Sequence, residues 1–172
     1  MQKVARASGV SVATLYIYFK DKDDLILSLY KEGMQRMSEH ALRGFNPDMK
    51  FAEGLRVQWK NRAHYSLEHP MESHFLEQIR YTPFYEQAAR IADPAFLQAM
   101  RSFLANAVRR REVVPLPLEI YWSIAYAPLY QLLKFHIHGH SFPGKQRFTL
   151  DDASVKRTLS LVLKALKPGD KQ

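Results

Sequence analysis

Between positions 11 and 22 stand Ser11, Thr14, Tyr16, Tyr18, Lys20 and Lys22, interleaved with Val12, Ala13, Leu15, Ile17 and Phe19. Hydroxyl and ammonium groups at this density can hold phosphate oxygens, and small apolar groups can pack on thymine methyls. At helical spacing Val10, Leu15 and Phe19 turn toward a common core. Val12, Ala13, Thr14, Tyr16, Ile17 and Tyr18 are then left outside, an odd face for a helix that meets only water. Such a face suits a helix lying in a major groove. Ahead of it, Gly9 enters a left-handed turn cheaply, and Ser11 stands where an N-cap belongs. Ala5 is small enough to let a preceding helix cross closely. The stretch 4–25 therefore predicts a helix, a tight turn and a second helix. A plain helical hairpin with aromatic core residues is the alternative, and it leaves the tyrosines and Lys22 unexplained.

Two further groups of residues could do chemistry. Aromatic and apolar side chains gather in the middle of the chain: Trp59, Phe75, Ile79, Phe84, Tyr85, Phe103, Tyr126 and Tyr130. Together with the polar groups Gln58, His64, Gln78, Tyr126 and Gln131 they predict an apolar ligand pocket with a few anchors. Simple core filling is the competing reading for each of them. The second group is His136, His138 and His140, which alternate at a helix end. Alternate residues do not share a helical face, so metal binding would need an unwound end. Satisfying the helix dipole explains them more simply. No metal or other cofactor is expected.

The elements that must position these residues read as helices throughout. A long helix from Asp21 or Lys22 to about Leu42 opens with Asp23 and Asp24, favourable at its positive end, and Gly44 closes it. After Asn46-Pro47-Asp48 a helix runs to about Glu68. Pro70, Pro83 and Pro94 each suit a first helical position, predicting helices at 70–80, 83–91 and 94–111, with Thr82 and Asp93 as caps. Arg109, Arg110 and Arg111 read as a solvated helix end. One helix is expected over 116–138, kinked at Pro128, which lacks the N–H that would reach the Ile124 carbonyl. Residues 142–146 read as a loop. A last helix, capped by Thr149 or Asp151, runs to about Leu166. No alternating strand pattern and no repeat occurs, so the fold class is all-α.

Composition sets wide bounds. The 172 residues can bury a sizeable core, and the absence of cysteine excludes disulfides and thiolate metal sites. The formal charge of +8 favours a polyanionic partner without proving one. No apolar run reaches membrane-spanning length and no signal-peptide pattern follows Met1, so no membrane partner and a cytoplasmic location are expected. No Ser/His/Asp arrangement, phosphate-binding glycine loop or paired metal spacing is present, and the chain does not read as an enzyme.

The run Ala5-x-x-Ser8-Gly9-Val10-Ser11-x-x-Thr14-Leu15-Tyr16-x-Tyr18-Phe19-x-x-Lys22-x-x-Leu25 resembles the DNA-binding signature of the TetR family of bacterial transcription regulators. The segment His74–Phe84, with Phe75-x-Glu77-Gln78 and Thr82-Pro83, is similar to a stretch in some members. The resemblance implies a partial helix-turn-helix domain over 1–25 and a helical ligand-binding and dimerisation domain over 26–172. It further implies another helix and a short basic arm ahead of residue 1, without which operator binding is expected to be poor. By position, Val12, Ala13, Thr14 and Ile17 would face bases, while Ser11, Tyr16, Tyr18 and Lys22 would hold phosphates.

The resemblance also implies a homodimer through the last two helices. Ile120, Ile124, Val155, Leu159, Val162, Leu163 and Leu166 are its candidate interface. The 116–138 helix is apolar on more than one side, which a partner subunit would cover. The expected function is a regulator that grips a palindromic stretch of double-stranded DNA as a repressor. A small apolar or aromatic effector, acting through the 22–42 helix, releases it. The alternatives are an activator of the same fold, or a basic all-α metal-binding protein or enzyme using His136, His138 and His140.

Overall fold

The computed structural model describes residues 1–91, 93–139 and 147–169. Ten α-helices are found among them: α1 Gln2–Ser8, α2 Val12–Tyr18, α3 Lys22–Ala41, α4 Phe51–Glu68, α5 Pro70–Gln78, α6 Tyr85–Ala89, α7 Pro94–Arg109, α8 Leu118–Ala125, α9 Ala127–His138 and α10 Asp152–Leu166. A single 3-10 turn, Ile79–Tyr81, follows α5. No strand occurs among the described residues, and no helix there is long and apolar enough to cross a membrane. The fold is all-α. The loop expected at 142–146, and His140, lie outside the described residues.

The chain forms two compact units that are not consecutive in sequence. Met1–Arg36 and Met71–Asp93 make the first; Met37–Pro70 and Pro94–Gln172 make the second. In the first unit Tyr30, Ile79 and Ala88 form a small core, flanked by Ile26, Met34, Phe75 and Leu76. A Cβ on Gly33 would lie 3.2 Å from a Leu76 methyl, so α3 and α5 approach closely at this glycine. Arg36 also pairs with Glu72 across the same two helices. Burial raises the Tyr30 phenol above its ordinary pKa.

The second unit holds the larger core, built from Leu55, Trp59, Phe103, Tyr121, Tyr126, Leu129, Leu159 and Leu166 among others. Residues of α4 recur on it at helical spacing, and the helix ends close on neighbouring groups. The N–H of Phe51 donates to Glu112 at 2.6 Å, as the free N–H groups at a helix start require. At the other end of α3, Gln58 Nε2 donates to the Ala41 carbonyl at 2.8 Å. Asn61 Nδ2 donates to the Arg43 carbonyl at 2.7 Å. Gly44 follows at φ 63°. The Asp151 side chain caps α10 by accepting from the Ser154 N–H.

Local expectations differ from the structure in three places. Residues 118–138 form two helices, not one kinked rod. Tyr126 leaves helical geometry at φ −125°, ψ −31°, and Pro128 sits in the first turn of α9, where its missing N–H costs no bond. The Trp59 indole donates to the Ala125 carbonyl at this junction, at 2.7 Å. Thr82 is no N-cap: its hydroxyl donates back to the Ile79 carbonyl, and α6 begins at Tyr85 without a side-chain cap. Val10 is exposed instead of facing the core with Leu15 and Phe19.

Candidate nucleic-acid interface and effector core

Gly9 sets the bend between α1 and α2. It holds φ 70°, ψ 18°, where an L side chain is strained, and its N–H and that of Val10 both reach the Ala5 carbonyl. Ser11 then caps α2. Its Oγ accepts the Thr14 N–H at 3.0 Å and lies 2.8 Å from the Thr14 hydroxyl. Of the seven residues of α2 only Leu15 is buried. Ile17 is 78% exposed and Tyr18 74%, with Tyr16 also exposed. Ala13 is exposed, whereas Val12 and Thr14 are half-buried.

Two of the acidic residues beside this helix, Asp21 and Asp24, accept backbone N–H groups, while Asp23 is exposed. Asp21 accepts the Asp24 N–H and Asp24 accepts the Lys20 N–H, each at 2.9 Å, which starts α3. Lys20 and Lys22 are exposed. The face of α2 and its edge thus present two phenols, apolar groups and ammonium groups to solvent. That set can take phosphates and base methyls together.

Residues 1–29 match the model of the bacterial regulatory proteins of the tetR family. The first 29 residues thus carry the DNA-binding signature of that family. Over its whole fold it is similar to a TetR family transcription regulator from Marinobacter aquaeolei. That pair has 25% identity and a TM-score of 0.69, covering 95% of this chain and 82% of that one. A TetR-family protein from Vibrio parahaemolyticus shares the fold at 21% identity and a TM-score of 0.78, over 98% and 87% of the two chains. Over 39 residues the chain is 44% identical to the fatty acid metabolism regulator protein of Bacillus subtilis, covering 23% of this chain and 20% of that protein. It is 27% identical over 90 residues to an HTH-type transcriptional regulator of Haemophilus influenzae, covering 52% and 48%. The matches thus span about a fifth and about half of these two relatives. The names of these relatives are those of regulatory proteins, several of them transcriptional regulators.

The residues expected to line one effector pocket are divided between the two units. Trp59, Phe103, Tyr126 and Tyr130 belong to the large core, while Phe75 and Ile79 belong to the small one. Phe84 is half-buried and Gln78 exposed in the first unit. His64 is exposed on α4 and faces His40 and Glu68, not the aromatic core. The reason is sequence distance: aromatic type marks burial, but not which core receives the ring. An open groove of about 580 Å³ does occur in the second unit, lined by Leu104, Val108, Pro115, Leu116 and Leu118 with Arg101 and Arg109 at its edge. None of the expected pocket residues lines it.

Sequence reasoning missed the most unusual group of that core, Arg62. Its guanidinium is buried and stands over the rings of Tyr126 (4.6 Å), Trp122 (5.2 Å) and Phe96 (5.4 Å). Nη1 donates to the Tyr130 hydroxyl at 2.8 Å. Nε and Nη2 have no hydrogen-bond partner, and neither has the Tyr121 hydroxyl. Burial opposes the charge of Arg62, but Tyr130, Tyr126 and Tyr121 outweigh it and its pKa lies above the ordinary value. Burial likewise pushes the Tyr121 and Tyr126 phenols up, so both stay neutral. A signal was present in the sequence: position 62 continues the stripe Leu55, Trp59, Ser66, so an arginine stood on a core face.

Much of the expected dimer face is also engaged within the chain. Leu159, Val162 and Leu166 are buried in the chain's own core, and Ile124, Val155 and Leu163 pack partly against it. A side chain already covered has little surface left for a partner. Ile120 is the exposed member of that set, at 48%. The helices α8 and α9, apolar on several sides, are covered by α4 and α10 of the same chain. The large apolar groups exposed on α8, α9 and α10 are Leu118, Ile120, Ile137 and Leu161. Of the histidines at the end of α9, His136 Nδ1 accepts the Leu150 N–H at 3.1 Å and His138 is exposed. Arg110 is committed to the Met49 carbonyl and to Glu112.

Proposed function

We propose that the chain is a ligand-responsive repressor that grips a palindromic operator as a homodimer. The observation that carries the DNA-reading part is α2 itself: a helix capped by Ser11, anchored by one leucine, with Tyr16, Ile17 and Tyr18 in solvent. In this reading Tyr16, Tyr18, Lys22 and Ser11 hold phosphates, while Val12, Ala13, Thr14 and Ile17 meet base edges. The apolar character of the second set favours thymine methyls over bidentate pairing, so direct readout is modest. The Thr14 hydroxyl is already engaged by Ser11, which leaves its methyl group as the informative part.

The effector reading is supported by Arg62. Two Arg62 nitrogens without an acceptor, Nε and Nη2, lie among aromatic rings near the Tyr121 hydroxyl. An apolar or aromatic molecule bearing a hydrogen-bond acceptor would complete them. Its influence would travel through α4, whose Gln58 and Asn61 hold the Ala41 carbonyl at the end of α3, the helix that follows the reading head in sequence. Such a ligand acts only through unequal affinity for two shapes of the protein.

Selection of bound duplexes from a random pool, followed by footprinting with and without effector, tests the proposal. Enrichment of an inverted repeat and loss of its footprint with a bound effector are expected. Enrichment of no sequence, or a footprint that every bound effector leaves unchanged, would defeat it.

A further inference from the structure

Away from the reading head and the aromatic core, three metal-ligating side chains of the second unit meet. His40 comes from the last turn of α3 and is buried. His64 and Glu68 stand four residues apart on α4, on one face, and are exposed. Nε2 of His40 lies 3.3 Å from Nδ1 of His64, and His64 Nδ1 lies 2.9 Å from Glu68 Oε2. One ligand atom from each residue falls within 4.8 Å of the other two. We propose that these three side chains form a binding site for a divalent transition-metal ion of the zinc, cobalt and nickel class.

The spacing fits the ion. Two nitrogens bound at about 2.0–2.1 Å in a tetrahedron stand about 3.3–3.4 Å apart. That is the His40–His64 separation found here. His64 Nδ1 stands within reach of both the Glu68 carboxylate and His40 Nε2, and one proton on it can serve only one of them well. A cation at the centre takes a lone pair from all three and removes the conflict. The exposed Glu68 needs only a small side-chain rotation to lengthen its approach.

The platform is held in place beforehand. Gln58 and Asn61 of α4 pin the Ala41 carbonyl, next to His40, at 2.8 Å and 3.1 Å. The ring of buried Tyr65 meets that of His40 edge-on, 5.6 Å between centroids. Two imidazoles and a carboxylate select borderline-soft ions over magnesium or calcium, and three protein ligands leave a fourth position to water. The bound ion would staple the last turn of α3 to the last turn of α4.

The test uses untagged full chain stripped with a chelator, then titrated with zinc chloride by calorimetry and with cobalt(II) by visible absorption. One equivalent of each per chain is expected, with cobalt bands of a four-coordinate site and no heat from magnesium. Zinc should also raise the thermal midpoint of the chain by mass action. The variants His64→Ala and Glu68→Gln alter exposed side chains, and their metal-free circular dichroism should match the parent. Each should weaken zinc binding by about tenfold or more and remove most of the midpoint shift. No saturable binding by the parent would overturn the site. Equal zinc affinity in His64→Ala would do the same, placing the metal on other histidines such as His136 and His138.

Discussion

Arg62 donates to Tyr130 and faces three rings, while two of its nitrogens meet no acceptor. An unmet buried donor costs about 1–3 kcal/mol, and a desolvated cation–π contact contributes about 2 kcal/mol. These terms nearly cancel, so the charge adds little to stability. Arg62→Met, an unbranched apolar filler of similar length, is expected to change unfolding free energy by less than about 2 kcal/mol. Arg62→Ala should cost about 3 kcal/mol or more, because it also leaves a cavity. Denaturant unfolding of both variants checks the pair, and a large loss in the methionine variant would show the cation to be structural. At the reading head the balance differs. Tyr16 is exposed, so Tyr16→Ala should alter stability by no more than about 0.5 kcal/mol while weakening binding to any duplex. Fluorescence anisotropy on a mixed-sequence duplex at low salt measures this; unchanged affinity would remove Tyr16 from the interface. The head was legible in the sequence because its cap, its turn glycine and its outward side chains are all local. Arg62 was not, because its environment comes from α7, α8 and α9, far away in sequence.

Among the elements, the helix boundaries followed local chemistry closely. Gly9 at φ 70°, Ser11 on Thr14 and Asp151 on Ser154 each stand where residue type alone put them. The break at Tyr126 escaped because Pro128 has two readings, interior kink or first turn. The indole of Trp59, 66 residues away, donates to the junction carbonyl at Ala125. Close crossings were equally hidden. A Cβ on Gly54 would strike the Phe103 ring, with Cζ at 2.6 Å, and that ring is buried against Phe45 and Phe51. Gly54→Ala therefore trades a helix-propensity gain of about 1 kcal/mol for overpacking of about 1–3 kcal/mol. A net fall in the thermal midpoint is expected, and a rise would mean that α7 can yield. Nothing crowds Gly9, so Gly9→Ala should cost only its left-handed backbone, about 1–2 kcal/mol. For α10, the Ser154 hydroxyl and N–H hold the Asp151 carboxyl below its ordinary pKa. A depressed folded value means stability that is present above the unfolded value and lost as pH falls through the folded one. Hydrogen-exchange protection at the start of α10, relative to the intrinsic rate at each pH, should thus fall on acidification in the parent. In Asp151→Asn that pH dependence should be absent.

For the molecule as a whole, the burial pattern bears on the proposed dimer. Intrachain packing already covers Leu159, Val162 and Leu166, which leaves them little surface to offer a partner. The apolar side chains still free on α8 and α10 are Leu118, Ile120 and Leu161, the last 59% exposed. The two helices pack on each other within the chain. In a two-fold interface each exposed residue is used twice, so one substitution introduces two charges. Leu161→Glu should therefore convert the proposed dimer to a monomer while leaving the fold nearly untouched, within about 0.5 kcal/mol, since the site is solvent-facing in the single chain. Sedimentation equilibrium gives the mass, and thermal unfolding of the monomer gives the control. Leu159→Ala should behave in the opposite manner, losing about 2–5 kcal/mol of stability through a core cavity without acting on the interface directly. If Leu161→Glu stays dimeric, the partner lies on another face. If the parent is a monomer at every concentration, a palindrome read by paired heads loses its physical basis.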